Sequence, residues 1–479
     1  MTLSELLSGV SGAEEFRPET DEEIKGITCD SRRVERGFVF VCIPGTAVDG
    51  HRFAKAAENA GAALVVTQRP LGLRSELTVP SARRTWAELC ANWFGRPAER
   101  LRMIGITGTN GKTSTTYMLK AILEQAGCKV GLIGTIQNMV GDRVLPSGHT
   151  TPDPYDLQSM LSLMVKEGCT HVVMEVSSHA LDQERVAGCA FDAAIFTNLT
   201  QDHLDYHKTM EAYCEAKKKL FAQADCAIVN ADDAWATAIA DGFTGRLCRF
   251  SAAGAAAEYT AENICTKADG VAFDLRGPQG SGRITLAIPG RFSVYNAMGS
   301  AVCALALGVP FETVQEALSG TCGVKGRAEV VPTGRDFTVV IDYAHTPDGL
   351  ENIGKTLKDC AEGRLVVLFG CGGDRDKTKR PKMAAIAAKY GDFVVVTSDN
   401  PRSEDPAAII ADILAGLPQG TPHIVIENRV DAIRWALQNA QPGDTLLLAG
   451  KGHETYQILK DTVIHLDERE VIADALKEL

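Results

Sequence analysis

A chain of 479 residues has room for about three domains at ~150 residues each, and 45% apolar with 23% charged residues describes an ordinary globular protein. Lysine and arginine total 49 against 61 acidic residues, and the net charge of −12 argues against unaided adhesion to nucleic acid or anionic membrane. The 14 cysteines are scattered without a CxxC pair, so zinc ribbons and dithiol redox motifs are not expected, and reduced thiols in a cytoplasmic protein are.

The opening Met1-Thr2-Leu3-Ser4-Glu5-Leu6-Leu7 has neither a basic start nor a long apolar core, so no signal peptide is expected. No apolar run approaches the ~20 residues of a membrane span. Residues 1–100 read as a small N-terminal α/β domain. Gly37 to Ile43 is a strand closed by Pro44-Gly45, and Leu64-Val65-Val66 is the next. Between them Phe53, Ala56, Ala57 and Ala60 are expected to share the buried face of a helix stopping at Gly61. A break follows at Gly95-Arg96-Pro97.

Residues 101–326 read as a central domain. Arg102-Met103-Ile104-Gly105-Ile106 is a strand, Thr107-Gly108-Thr109-Asn110-Gly111-Lys112-Thr113 a glycine loop, and Met118, Leu119, Ile122, Leu123 and Ala126 mark a helix ending at Gly127. Strand, glycine loop, Lys-Thr and helix is the layout of a phosphate-binding loop. Its backbone N–H groups and the positive helix end attract polyphosphate, Lys112 reaches the terminal phosphates, and Thr113 can hold magnesium. The match is not strict, since Ile106 stands where the pattern wants its first glycine, and an ordinary strand-to-helix turn is the plainer alternative. His171 to Val176, Ala194 to Asn198 and Cys226 to Asn230 are further strands, and the alternation implies a mostly parallel sheet with helices on both faces. Residues 251–290 suggest short antiparallel strands.

Residues 327–479 repeat the strand–helix rhythm as a C-terminal doubly wound, Rossmann-like domain. Strands fit Arg364 to Phe369, Asp392 to Thr397, His423 to Ile426 and Thr445 to Leu448, with helices at Ala407 to Leu414 and Val430 to Leu437. The turn Gly370-Cys371-Gly372-Gly373 lacks the third glycine of a dinucleotide fingerprint, where Arg375 stands. The fold class is thus α/β with three domains.

Three further stretches bear on chemistry. Glu175 on its apolar strand is either an edge carboxylate facing solvent or a magnesium ligand at the carboxyl end of a parallel strand. Residues 198–207 are dense in hard-metal ligands, with His203 and His207 one helical turn apart but no HExxH pattern. Lys217-Lys218-Lys219 reads as an exposed helix face, and spacing singles out none of the three.

The phosphate loop resembles the ATP loop of the Mur ligases, the cytoplasmic enzymes of peptidoglycan precursor synthesis. The blocks Met174 to Leu181, Asn198 to His207, Asp342-Tyr343-Ala344-His345-Thr346-Pro347, Gly370 to Asp376 and Gly450-Lys451-Gly452-His453-Glu454 resemble the same family in the same order. The resemblance implies that Gly108, Thr109, Asn110, Gly111, Lys112, Thr113 and Ser114 bind ATP, with Asn296, Arg327, Asp342 and His345 contributing. It implies two magnesium ions, one on Thr113 and Glu175 and a second helped by His203, and Lys217 carrying a CO2-derived carbamate (N6-carboxylysine) that bears on the metal site. It makes Lys112, Glu175, His203 and Lys217 the catalytic set. Ser293 stands where relatives usually carry Asn. A UDP-N-acetylmuramoyl dipeptide would lie against Cys29, Ser31, Thr46, Ala47, Val48, Thr150, Thr151, Ser177, Gln183 and Arg185. The partners implied are small molecules alone, with a monomer expected.

Asp399-Asn400-Pro401-Arg402 is similar to the signature of the family branch that adds meso-diaminopimelate. Diaminopimelate is lysine with one extra carboxylate at its far end, and a guanidinium can bind that group bidentately. By the same resemblance Arg375 would hold the other carboxylate, and Glu454 an ammonium group, with Gly450 in the same site. The implied reaction makes an amide through an acyl-phosphate, releasing ADP and phosphate. A lysine-adding ligase, a folate polyglutamylating ligase and a nucleotide-dependent switch are the alternatives.

Overall fold

The computed structural model describes residues 1–17, 21–45, 48–321 and 323–478. It divides into two compact units, one built mainly from Met1–Phe250 with Gly299–Val309, the other mainly from Glu258–Met298 and Pro310–Leu479.

In the first unit a four-stranded parallel sheet orders Gly26–Thr28, Phe38–Val41, Leu64–Thr67 and Glu76–Thr78. Val39, Val41, Leu64 and Val66 face a core completed by Leu89 and Trp86 of the helix Ala82–Trp93. The expected helix is Ala54–Asn59, but its buried residues are Ala54 and Ala57, and Phe53 is exposed. A 3-10 turn, Gly50–Phe53, precedes the helix and sets its phase, so the face expected from Phe53, Ala56 and Ala60 is corrected.

The larger sheet of this unit runs Arg246–Ser251, Ala224–Asn230, Phe191–Phe196, Arg102–Thr107, His171–Glu175, Val130–Ile133, Asn138–Val140, Arg143–Leu145. The strands from Arg246–Ser251 through Val130–Ile133 are parallel, and the last two add antiparallel. Arg102–Thr107 is buried beyond its first residue and sits between Phe191–Phe196 and His171–Glu175. The carboxyl ends Thr107, Glu175 and Phe196 therefore open on one edge, where such sheets place ligands.

In the second unit Tyr259–Lys267, Gly270–Gly277 and Gly280–Leu286 form the antiparallel meander expected in 251–290. A six-stranded sheet orders Glu329–Val331, Thr338–Asp342, Thr445–Ala449, Leu365–Phe369, Phe393–Val396 and His423–Val425. All its pairings are parallel except the first. Asp342, Ala449, Phe369 and Val396 end on the same edge, again the ligand edge of an open α/β sheet. The hairpin Tyr456–Leu459 and Thr462–His465, absent from the sequence reading, follows the last parallel strand.

Candidate functional site

The glycine loop folds as the sequence implies. Gly108 holds φ 149°, and a Cβ there would lie 1.9 Å from Thr197 Oγ1, so no larger residue fits. Gly111 precedes the helix Lys112–Gln125, which has no side-chain cap, so its first N–H groups face the loop. Asn198 braces the loop from the neighbouring strand end. Its Oδ1 accepts from Asn110 N at 2.9 Å, its carbonyl from Thr109 N at 2.9 Å, and its Nδ2 donates to Asn110 O at 3.1 Å.

Thr113 Oγ1 donates to Glu175 Oε1 at 3.0 Å, and Thr135 adds N–H and hydroxyl bonds to the same carboxylate at 2.9 and 3.0 Å. Glu175 is 1% exposed, so the solvent-facing alternative is discarded. Lys112 Nζ donates to Gly108 O at 2.8 Å and Thr109 O at 2.9 Å.

The lysine run is not a uniform exposed face. Lys217 is 1% exposed, Lys218 is half-buried and Lys219 exposed. Lys217 Nζ donates to Gly108 O at 2.9 Å, the carbonyl that Lys112 also holds, and lies 4.4 Å from the centre of the Tyr213 ring. Burial, and then the Lys112 charge, hold its amine well below the ordinary lysine range. His203 is partly exposed in a left-handed conformation (φ 53°), its ring edge-on to His179 at 4.9 Å. His207 is buried against Ser178 Oγ at 2.9 Å. Among the described residues no group of three or more His, Cys, Asp or Glu side chains is placed to hold a metal by itself. Thr113 and Glu175 still suit magnesium, which takes one or two protein oxygens and fills its shell with phosphate oxygens and water.

A cleft of about 350 Å³ opens in the same unit, lined by Cys29, Gln183 and Arg185 of the expected set. Thr151 ties it to the strand that carries Glu175: its Oγ1 donates to Glu175 O at 2.9 Å, and its own carbonyl accepts from Arg185 Nη1 at 2.9 Å. Ser177 donates its N–H to Thr151 Oγ1 at 3.0 Å, and Thr150 Oγ1 lies 3.0 Å from Thr135 Oγ1. Ser31 begins a 3-10 turn after Asp30, outside the lining, and Val48 is 48% exposed. Thr46 and Ala47 lie outside the described residues. Sequence reasoning missed Arg83, Trp86 and Tyr155 in this lining. Trp86 and Tyr155 stack at 6.4 Å, and Arg83 Nη2 donates to Pro44 O at 2.8 Å. No local motif marks these three; they meet only through the fold.

In the second unit Arg327, Asp342 and His345 come together. Asp342 accepts from Ala328 N at 2.7 Å and Ala344 N at 2.8 Å; burial pushes its carboxyl up and the Arg327 charge opposes that. The Arg327 guanidinium lies 5.1 Å from the Tyr343 ring centre, and that ring meets His345 at 4.6 Å and His453 at 4.8 Å. Tyr343 and His453 are flat groups that the sequence reading quoted but gave no role. Asn296 is buried on the helix Arg291–Ala306, and Ser293 Oγ donates to Pro289 O at 2.8 Å.

The Asp399-Asn400-Pro401-Arg402 segment follows the strand Phe393–Val396 and is clasped on both sides. Gly373 N donates to Asn400 O at 2.9 Å, Arg402 Nη1 to Gly373 O at 2.9 Å, and Arg402 N to Ile458 O of the hairpin at 3.1 Å. Arg402 (φ 52°) and Asp374 (φ 54°) both hold left-handed backbone, uncommon for such residues. Ser403 Oγ donates to Asp374 Oδ1 at 2.6 Å, and Asp374 N to Glu404 Oε1 at 2.6 Å, so the two turns lock each other. Arg402 is half-buried rather than a free surface residue, and Pro401 is buried. Arg375 is exposed, with Nη1 on Asp374 O at 3.1 Å. Gly450 holds φ 114°, and a Cβ there would lie 2.7 Å from Asp399 Oδ2. Asn400 Nδ2 donates to Glu454 Oε2 at 2.9 Å.

Comparison with known proteins agrees with this picture. Family models described as "Mur ligase family, catalytic domain", "Mur ligase middle domain" and "Mur ligase, glutamate ligase domain" match residues 23–86, 106–304 and 326–452. A curated relative from Caldanaerobacter subterraneus subsp. tengcongensis, named UDP-N-acetylmuramoyl-L-alanyl-D-glutamate–2,6-diaminopimelate ligase, is 49% identical over 100% of this chain and 99% of its own. A solved structure with that ligase name is 33% identical at TM-score 0.75, covering 98% of this chain and 99% of its own. The MurF ligase of Thermotoga maritima, solved in complex with ADP, shares the fold at TM-score 0.59 and 18% identity, over 94% of this chain and 97% of its own.

Proposed function

The chain belongs to the Mur ligase family, and from that premise we propose that it is an ATP-dependent ligase that adds meso-2,6-diaminopimelate to UDP-N-acetylmuramoyl-L-alanyl-D-glutamate. The observation that carries the reading is the bonded path from Thr113 through Glu175 and Thr151 to Arg185. It joins a phosphate loop to a cleft lined by Arg33, Arg83 and Arg185 as well as by Asp30, Asp153 and Asp156, which supports bringing a nucleotide phosphate to an acid.

We assign the dipeptide nucleotide to the cleft, with residues 1–100 as its main binding domain, 101–326 as the ATP domain and 327–479 as the amino-acid domain. The loop amides 108–114 and Lys112 cradle the phosphates. Thr113 and Glu175 would hold one magnesium and His203 would help with a second; the metal supplies charge neutralisation on the phosphoryl group. The acceptor carboxylate attacks the γ-phosphorus, the bond to the bridging oxygen breaks, and ADP leaves. The free amine of diaminopimelate then attacks the acyl carbon, and phosphate leaves as the amide forms. Asn296, Arg327, Asp342 and His345 serve the nucleotide. Arg402 grips the remote carboxylate, Arg375 the other, and Glu454 an ammonium, with Asp399, Asn400, Pro401 and Gly450 shaping the pocket.

Lys217 is assigned as the carbamate. Burial, and then the Lys112 charge, lower the pKa of its amine, which favours the unprotonated form that attacks CO2, forms an N–C bond and sheds a proton. The side chain thereby becomes an anion, which attracts divalent ions as an ammonium would not. Free amine in the electron density of CO2-equilibrated, active enzyme would refute this. The whole proposal is tested by phosphate release with the nucleotide dipeptide, ATP and magnesium, comparing meso-diaminopimelate with L-lysine. Release with diaminopimelate and little with lysine is expected. Equal release would favour a lysine-tolerant ligase, AMP formation would refute the acyl-phosphate route, and release with neither would end the reading.

A further inference from the structure

Glu454, assigned above to an ammonium of the amino acid, is held by more than its own loop. Its Oε2 accepts from Lys451 Nζ at 3.1 Å and from Asn400 Nδ2 at 2.9 Å. Asn400 Oδ1 in turn accepts from Lys451 Nζ at 3.1 Å and from Ile458 N at 2.9 Å. Two donors on Oδ1 fix the orientation of that amide, so its Nδ2 must face Glu454.

Lys451 is wholly buried at 0% side-chain exposure, whereas Glu454 keeps 13%. A buried ammonium is a poor way to fill space. An apolar chain of similar volume would pack there without being stripped of water, and buried ion pairs add little net stability. Nor can Lys451 touch a solute, since no part of its side chain reaches the surface. Its two recorded acceptors are the side chains of Asn400 and Glu454, both placed in the amino-acid pocket.

We infer that Lys451 is a positioning residue: with Asn400 it pins one oxygen of Glu454 and thereby presents the other, Oε1, to the ammonium of the incoming amino acid. Oε1 takes no hydrogen bond among the described residues. The inference rests on the diaminopimelate reading proposed above.

The test is steady-state kinetics of the full chain with diaminopimelate varied and ATP, magnesium and nucleotide dipeptide saturating. The variants are Lys451→Met, Lys451→Gln, Glu454→Gln and the Lys451→Met/Glu454→Gln double. Lys451→Met is expected to raise the KM for diaminopimelate by about tenfold or more, the scale of a lost charge-assisted hydrogen bond. The KM for ATP should stay as in the parent. Lys451→Gln keeps a donor for Glu454 without the charge and should fall between. In the Glu454→Gln background Lys451→Met should add little, because its effect runs through Glu454, whereas a merely structural role would multiply the two losses. A parent-like KM for diaminopimelate in Lys451→Met, or full multiplication in the double variant, overturns the inference. If circular dichroism shows Lys451→Met unfolded, Lys451→Gln carries the same comparison. A parent that turns over no diaminopimelate overturns the functional reading itself; impaired Glu454→Gln beside parent-like Lys451 variants overturns this inference alone.

Discussion

Arg402→Ala should separate amino-acid choice from nucleotide chemistry. Arg402 makes one recorded side-chain bond, from Nη1 to Gly373 O at 2.9 Å. The Nε–Nη2 edge of the guanidinium is not engaged among the described residues, and it is the edge whose two parallel N–H groups match a carboxylate. Two charge-assisted hydrogen bonds at ~1.5 kcal/mol each, the low end suited to a half-buried site, sum to ~3 kcal/mol, or about 10²-fold in kcat/KM for diaminopimelate. L-Lysine has no remote carboxylate, so its kcat/KM should not fall, and the preference for diaminopimelate should shrink by the same factor. The KM for ATP should not move, because Arg402 is assigned no part in nucleotide binding. Phosphate release would be measured against each amino acid with ATP and nucleotide dipeptide saturating, beside a thermal unfolding curve. A diaminopimelate kcat/KM equal to the parent's, or equal losses for diaminopimelate and lysine, would refute the reasoning.

Two other outcomes follow from the geometry. Gly108→Ala puts a Cβ where Thr197 Oγ1 already sits, 1.9 Å away, so the loop must shift and ATP binding by calorimetry should weaken markedly; unchanged affinity would refute the close approach. The hydrogen bond from the Arg380 guanidinium holds the Glu404 carboxyl down at about 2, against 4.5 for an ordinary glutamate. A carboxyl lowered on folding contributes stability that is present above pH 4.5 and lost as pH falls toward about 2. The stability difference between parent and Glu404→Gln should therefore be level above pH 5 and shrink through that window; urea titrations showing a constant difference would contradict it.

What was legible in the sequence was local. The phosphate loop could be read because glycine, Lys112 and Thr113 sit at spacings set by one turn of backbone, and the strands because their apolar runs are continuous. Thr113 and Glu175 meet across 62 residues, so the contact that settles the status of Glu175 belongs to the fold and not to a pattern. The burial of Lys217, alone among three adjacent lysines, depends on which side of its helix packs against the loop and Tyr213. The misplaced helix face near Phe53 came from a 3-10 turn that shifts the phase, a conformation with no strong residue signature. The left-handed backbone at Asp374 and Arg402 was hidden because neither is glycine, and the clasping hairpin because its residues show little apolar run.

The cleft that takes in Cys29 and Asp30 from one sheet end also takes in Asp153, Tyr155 and Arg185 from far along the chain. Its seam is stitched by Arg84 on Glu184 at 3.1 Å and by Ser81 on the same carboxylate. Such a shared wall limits modular exchange. A leading segment borrowed from a relative would arrive with half of the cleft proposed above for the dipeptide nucleotide, so on that reading recombination that preserves activity must carry the Asp153–Asp156 and Gln183–Arg185 stretches along with residues 1–100.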